Sequence, residues 1–216
     1  MAQIESGASS DVLTVDPTTK AARVSIYPRL AGYSVSATTP TLNALLAAGV
    51  AIFAARLDPA AGASYKAYIT RLKGEFINIG GSGGVAAGRE LVCSRGSGAA
   101  AAAGTQIATA SEKDSSGTAS QFDSAQGGDM RFAPATGLTV VGITFETINV
   151  AVLMGLTGGL TGAAGTRVVE TIEWDASQAN PIILNQGELI AVRIGVVAFP
   201  ATATWTFSVT MDWFEG

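Results

Sequence analysis

Pro181 to Glu215 reads PIILNQGELIAVRIGVVAFPATATWTFSVTMDWFE, and its second half alternates strictly. Trp205, Phe207, Val209, Met211 and Trp213 fall on one face, and Thr206, Ser208, Thr210 and Asp212 on the other. Successive side chains of a strand point to opposite sides, so a period of two sustained this long predicts a β-strand with one face buried. A helix would scatter the two tryptophans round its axis. Upstream, Glu188 to Phe199 is an apolar run rich in Val and Ile that reads as a strand buried on both sides. Asn185-Gln186-Gly187 is a turn that starts this run, and Pro200 with the small residues after it makes the next connection. The two runs therefore read as a hairpin that closes the core of an antiparallel sandwich.

Working outward, 216 residues suit one elaborated β-sandwich domain or two small domains. Hydrophobic residues make up 48% of the chain and charged residues only 14%. That balance predicts surface buried against copies of the chain or against partners. The net charge of −4 gives no global attraction to nucleic acid. The charge is unevenly spread. Lys20, Arg23, Arg29, Arg56, Lys66, Arg71 and Lys73 face a single acidic residue, Asp58, across positions 20–73, whereas from Ala133 onward Arg167 and Arg193 stand against seven acids. Such asymmetry suits either solvated faces or a head-to-tail arrangement of subunits.

A lone cysteine, Cys93, excludes an intramolecular disulfide framework and fits synthesis in a reducing cytosol. The opening MAQIESGASS has neither a basic nor an apolar signal region, and the longest apolar run, Leu42 to Leu57, is shorter than the roughly 20 residues of a membrane span. Residues 1–10 read as a mobile arm. Val12–Val15 and Ala22–Tyr27 are β-prone pieces round an Asp16-Pro17 turn, too poor in large side chains to build a core alone. Residues 1–27 are thus expected to be an arm that docks on something else, and 28–216 a single sandwich domain.

Pro28 and Pro40 bracket a link. Residues 50–57 read as strand, while 41–48, where Ala and Leu favour helix, stay open between helix and strand. Tyr65 to Asn78 predicts a long strand with Tyr68, Leu72 and Phe76 on one face and Ala67, Ile69, Arg71, Lys73 and Glu75 on the other. From about 80 to 131 Gly, Ser and Ala dominate, and only Arg89–Ser94 and Thr105–Thr109 look strand-like, which reads as a surface insertion or a set of short edge strands. Leu138 to Met154 returns to core, with Gly142 as a candidate bulge. Gly155 to Gly165 reads as a loop tip with Leu156 and Leu160 available for contact, and Arg167 to Asp175 as a strand with Val168, Ile172 and Trp174 inward.

The search for chemistry is mostly negative. The chain has no histidine, so it holds no Ser-His-Asp or Cys-His arrangement and no imidazole metal site. Cys93 lies in an apolar strand-like piece with nothing to activate it and reads as a buried structural thiol. Gly81-x-Gly83-x-x-Ala86 resembles a dinucleotide fingerprint only superficially, because Gly88 interrupts the required helix. Glu173 with Asp175 reads as a solvated acidic edge in preference to a cation site, and Asp123 with Asp129 lacks the aromatic platform of a glycosidase. No catalytic, cofactor-binding or metal residue is assigned.

Several stretches resemble, in order, a group of tailed-bacteriophage structural proteins of similar length. These are Thr14-Val15-Asp16-Pro17-Thr18-Thr19-Lys20-Ala21-Ala22-Arg23-Val24, then Tyr68-Ile69-Thr70-Arg71, Lys113-Asp114-Ser115, Gly187-Glu188-Leu189 and Trp205-Thr206-Phe207-Ser208-Val209. The resemblance implies an all-β, jelly-roll-like sandwich with an extended N-terminal segment and Gly/Ala-rich loops, and a structural role in a virion assembled in the host cytoplasm. A decoration (cement) protein on the capsid shell is the first expectation, and a tail, neck or head-fibre component the alternative. The expected partners are the major capsid protein or another virion protein and further copies of the chain, a trimer first, with no nucleic acid, membrane or cofactor. A carbohydrate-binding sandwich is the competing class. It would line a groove with exposed aromatics, whereas Trp174, Trp205 and Trp213 all fall on faces that read as core.

Overall fold

The computed structural model describes residues 14–15, 22–23, 31–43, 45–80, 89–107, 111–112, 119–156, 168–175, 181–199, 201 and 204–216. The chain divides into two units, Met1–Leu30 and Ala31–Gly216. In the first, β1 (Thr14–Val15) pairs antiparallel with β2 (Ala22–Arg23), setting Thr14 opposite Arg23 and Val15 opposite Ala22. The two β-prone pieces of the N-terminal segment thus satisfy part of each other's backbone. Residues 1–10 and the Asp16-Pro17 turn lie outside the described residues.

The second unit is an antiparallel β-sandwich. Its strands are β3 (Ala31–Thr38), β4 (Ala51–Arg56), β5 (Lys66–Gly80), β6 (Arg89–Gly98), β7 (Thr105–Gln106), β8 (Ser111–Glu112), β9 (Asp129–Phe132), β10 (Ile143–Phe145), β11 (Ala151–Leu156), β12 (Val168–Asp175), β13 (Ile182–Asn185), β14 (Glu188–Ile194) and β15 (Thr204–Glu215). One sheet runs β12-β5-β15-β3-β8, with β13 also on β5, and the other runs β10-β6-β14-β4-β9-β7, with β11 also on β6. Each sheet gathers strands distant in sequence, and the chain passes repeatedly from one sheet to the other. This is jelly-roll-like connectivity, which lets both inner faces share one core.

The last strand behaves as its alternation predicts. Trp205, Phe207, Val209, Met211 and Trp213 are buried, and Thr206, Ser208 and Thr210 are half-exposed. Gly74, on the neighbouring β5, is opposite Val209, and the Phe207 ring lies over it. A Cβ there would come within 2.8 Å of Phe207 Cζ, so a side chain at 74 and that ring cannot both fit.

Several expectations need correction. The two C-terminal runs are not a hairpin. β14 is flanked by β4 and β6, and β15 by β3 and β5, so their connection crosses between the sheets. The crossing is anchored by Phe199, which bridges to Leu46 and stacks on Trp205 with ring centroids 4.8 Å apart. β14 ends at Ile194, leaving Val196 81% exposed. The stretch between Pro28 and Pro40 holds β3, the partner of the last strand along its whole length, with Tyr33 and Val35 buried. The described residues of 41–48 form neither helix nor strand. Leu42 and Leu46 make isolated bridges to Trp205 and Phe199 and are fully buried.

In β5 the inward set is Ala67 and Ile69, then Leu72, Gly74 and Phe76, while Tyr68 is half-exposed. Parity changes because Thr70 is an extra residue. Trp213 is opposite Ile69 and Asp212 opposite Arg71, and the Thr70 hydroxyl donates to the Asp212 carbonyl. The Gly/Ser/Ala-rich stretch contains β6, an interior strand bonded to β14 on one side and to β10 and β11 on the other. Its small residues Ser94 and Gly96 are buried, so their size reflects close packing there. Thr105–Gln106 is strand, while 108–110 lie outside the described residues. Gly142 is not a bulge but a left-handed turn residue (φ 80°), and Val141 beside it is exposed. The backbone of 168–175 is strand as expected; its side chains, the 157–167 tip with Leu160, and the 81–88 glycines lie outside what is described.

Candidate functional site

Of the residues singled out for chemistry, Cys93, Asp123 and Asp129 and the backbone of Glu173 and Asp175 lie within the described residues. Cys93 is fully buried in β6, and burial pushes its thiol up to about 12, far from thiolate reactivity at neutral pH. Asp123 caps the 3-10 turn Ser124–Gln126 through its backbone carbonyl, which accepts from the Gln126 and Gly128 amides. Asp129 is buried, and its carboxylate accepts from Arg131 Nε (2.7 and 2.9 Å) and Gln106 Nε2 (3.0 Å). Glu173 and Asp175 lie on β12, in register with Lys73 and Arg71 of β5. Arg71 also meets Asp212 of β15 at 3.6 Å. The basic and acidic halves of the sequence therefore meet on adjacent strands of one chain. Among the described residues no group of His, Cys, Asp and Glu is placed to hold a metal ion.

Sequence reasoning missed two polar arrangements. The first is a clasp at the chain's end. Glu215 is buried, 2% exposed, on the last strand. Its carboxylate accepts from Ser120 Oγ (2.6 Å), Trp213 Nε1 (2.5 Å), Tyr65 Oη (3.0 Å) and the Gln121 amide (2.8 Å). Burial, and then the neighbouring Glu215 charge, raise the Tyr65 phenol above its ordinary range, keeping it a donor. Four donors on one buried carboxylate tie β15 to the loop before the 3-10 turn and to the start of β5. The Gly216 amide and carbonyl bond to Lys66 beside it. Nothing in the local sequence round Glu215 announces donors at 65, 120 and 121.

The second is the contrast between the two outer faces. On the β3–β15 pair a ladder of side chains runs along register partners: Ser34 to Asp212 (2.6 Å), Ser36 with Thr210 (3.0 Å) and Thr38 with Ser208 (2.7 Å). On the other sheet Ala54, Ala191 and Ser94 align across β4, β14 and β6 as a floor of small residues. Arginines lie on the strands round it. Arg193 places its guanidinium 4.0 Å from the centre of the Phe145 ring, and its Nε donates to the Gly49 carbonyl. Burial lowers its pKa. Arg95, on the opposite face of β6 from Ser94, pairs with Glu146 and donates to the Ile183 carbonyl of the other sheet. The Ala54–Ala191–Ser94 row is buried, whereas Ser36, Thr38, Ser208 and Thr210 of the hydroxyl ladder keep contact with water. Compared with known proteins, the chain matches no family model, no curated protein and no solved structure.

Proposed function

We propose that the chain is a non-enzymatic structural component of a tailed-phage particle, in the first instance a decoration protein that binds and reinforces the capsid shell. The observation that carries the reading is the combination of a jelly-roll-like sandwich with polar groups engaged in holding strands together. Asp129, Asp212, Glu146 and Glu215 each bond to a neighbouring strand or loop. The sequence resemblance supplies the particle, since a fold alone does not assign a function. The chain works as an oligomer, a trimer first, and docks through residues 1–27. Within them, Asp11–Tyr27 is β-prone and carries few large side chains, so its backbone suits addition to a neighbouring sheet edge. Weak contacts repeated on a lattice add through effective concentration.

The test adds purified full-length chain, and the chain lacking residues 1–27, to particles assembled without it. The full chain is expected to add regular density outside the shell by electron microscopy, and the truncated chain to keep its β circular dichroism but lose attachment. A full chain that never binds the particle refutes the reading. A truncated chain that binds equally well removes the docking role from the N-terminal segment, and one that cannot fold makes that segment part of the sandwich.

A further inference from the structure

The chain leaves β6 at Gly98 and re-enters the same sheet at β7, on the far side of β14, β4 and β9. Register fixes both ends of this crossing. Ser97 is level with Glu188, and Thr105 is paired with Phe132. Phe132 is level, through Phe53 and Val192, with Cys93, so the crossing runs diagonally back from the level of Ser97 to that of Cys93. The inner face is filled by core, where the Phe53 and Phe132 rings meet at 5.2 Å. Arg131 alternates with the buried Met130 and Phe132 and so points outward, and its Nη1 donates to the Ala103 carbonyl (3.4 Å). The crossing therefore lies on the outer face. Residues 138–142 accompany it. The Ala99 amide donates to the Gly142 carbonyl (3.1 Å), and Ala102 and Thr139 exchange two bonds (2.8 and 2.9 Å). Ala101 and Leu138 are buried and Val140 packs on the core, while Ala102, Thr139 and Val141 are exposed, the alternation of a ribbon lying on a surface. The buried row Ala54–Ala191–Ser94 falls between the two levels that the ribbon joins.

We propose that this ribbon, residues 98–107 with 138–142, is a strap that lifts from the sheet as a unit while the sandwich stays folded. Its own ladder travels with it. Its far end is tied down by the Leu138 amide on the Ala51 carbonyl (2.8 Å), the Ile107 amide on the Met130 carbonyl (2.8 Å), Gln106 Nε2 on Asp129 (3.0 Å) and the Arg131–Ala103 bond. Ala99 to Ala103 are all alanine, so the crossing strand buries little apolar area. At the root of the strap Gly98 (φ 119°) and Gly142 (φ 80°) face one another, and glycine takes up the backbone change of a hinge without a steric penalty. Near the far end Ala103 is held in the left-handed region (φ 63°), a steric cost that opening releases. The closed strap hides the apolar row from water, and the open strap bares it. Strands of the sandwich are bonded over longer ladders and carry the large buried side chains, so they stay in place.

The test is hydrogen exchange of the isotope-labelled full chain by NMR at low urea, comparing two amides that donate to neighbouring carbonyls of β4. Leu138 bonds Ala51 and belongs to the strap, whereas Ala133 bonds Ile52 (2.9 Å) and continues β9. The Leu138 and Ile107 amides are expected to exchange about 100-fold faster than Ala133, with little dependence on urea, as for a local opening. Ala103→Gly removes the steric cost of the closed form and is expected to slow Leu138 exchange about threefold while leaving Ala133 unchanged. The covered row is read separately by thiol labelling in the Cys93→Ala background. Ala54→Cys, on the outer face, is expected to label about 100-fold faster than Ala55→Cys on the inner face, and far slower than an exposed thiol. Leu138 and Ala133 exchanging together, with the same urea dependence, overturn the proposal, because the strap then opens only with the sandwich. Equal labelling of the two thiol variants overturns it too, as does labelling of Ala54→Cys at the rate of an exposed thiol, which would mean that nothing covers the row. If Ala54→Cys fails to fold, the exchange measurement decides alone.

Discussion

Trp205 and Trp213 stand on the same buried face of β15, and the two ends of that strand are built on different chemistry. The Trp205 end is apolar packing. Its ring stacks on Phe199 and lies 5.1 Å from Phe76, and its indole N–H is buried without a partner among the described residues. At the other end, Trp213 stacks on Tyr33 at 5.6 Å, meets Phe122 edge-on at 5.3 Å, and gives its N–H to Glu215. One end gains specificity from shape alone, the other from shape and a four-donor carboxylate. A strand can read as uniform from its alternation while its two ends are held by different forces.

The largest effect treats the ends alike. Trp205→Ala and Trp213→Ala are each expected to cost about 3–5 kcal/mol, the usual range for emptying a buried aromatic site. Urea unfolding followed by tryptophan fluorescence or circular dichroism measures it. A loss under about 1.5 kcal/mol at either position would show that the corresponding end is not part of the continuous core.

How far this was legible follows from the same two ends. The alternation Trp205–Trp213 is a local signal, so the strand, its buried face and the all-β class are all readable from sequence. β3 carries the same kind of signal in Tyr33 and Val35, but small residues and flanking prolines dilute it. The first part of β6, Arg89–Ser94, reads as strand from sequence, but its interior place does not, because the run ends in small residues such as Gly96, over which the Thr144 carbonyl and the Phe145 ring press close. The Glu215 clasp and the placing of Arg56 opposite Asp129 were not legible at all. They join positions 65 with 215 and 56 with 129, and only the sheet crossings of the sandwich bring these together. The face switch in β5 needed the extra residue Thr70, which periodicity alone cannot place.

The middle-sized effect separates the ends. Phe in place of either Trp keeps the stacked ring and removes the N–H. At 205 the lost donor had no partner, so Trp205→Phe is expected to cost about 1 kcal/mol, mainly for lost volume. At 213 the same change leaves a buried carboxylate short of a donor, so Trp213→Phe is expected to cost about 2–3 kcal/mol. A double-mutant cycle of Trp213→Phe with Glu215→Gln isolates the contact, with an expected coupling of about 1–2 kcal/mol. Equal costs for the two Phe variants, with no coupling, would mean that the clasp adds nothing beyond packing.

The smallest effect lies on the outer side of the same strand, where the hydroxyl ladder repeats the contrast in weaker form. Ser36 and Thr210 are exposed to water, which replaces their mutual bond at almost no cost, so Ser36→Ala is expected to change stability by less than about 0.5 kcal/mol. Ser34 donates to Asp212, which is only 8% exposed and has Arg71 as its ionic neighbour. Removing that hydroxyl takes one donor from a largely buried carboxylate that Arg71 and water then serve in part, so Ser34→Ala is expected to cost about 1 kcal/mol. The two substitutions delete the same atom type on the same strand and differ in the desolvation of the partner. Added salt weakens the Arg71 contribution and should widen the gap between them, because Asp212 then leans more on Ser34. Urea midpoints for both variants at low and high salt measure this directly, and a gap that narrows with salt would place the Ser34 effect in the ion pair and not in the hydroxyl.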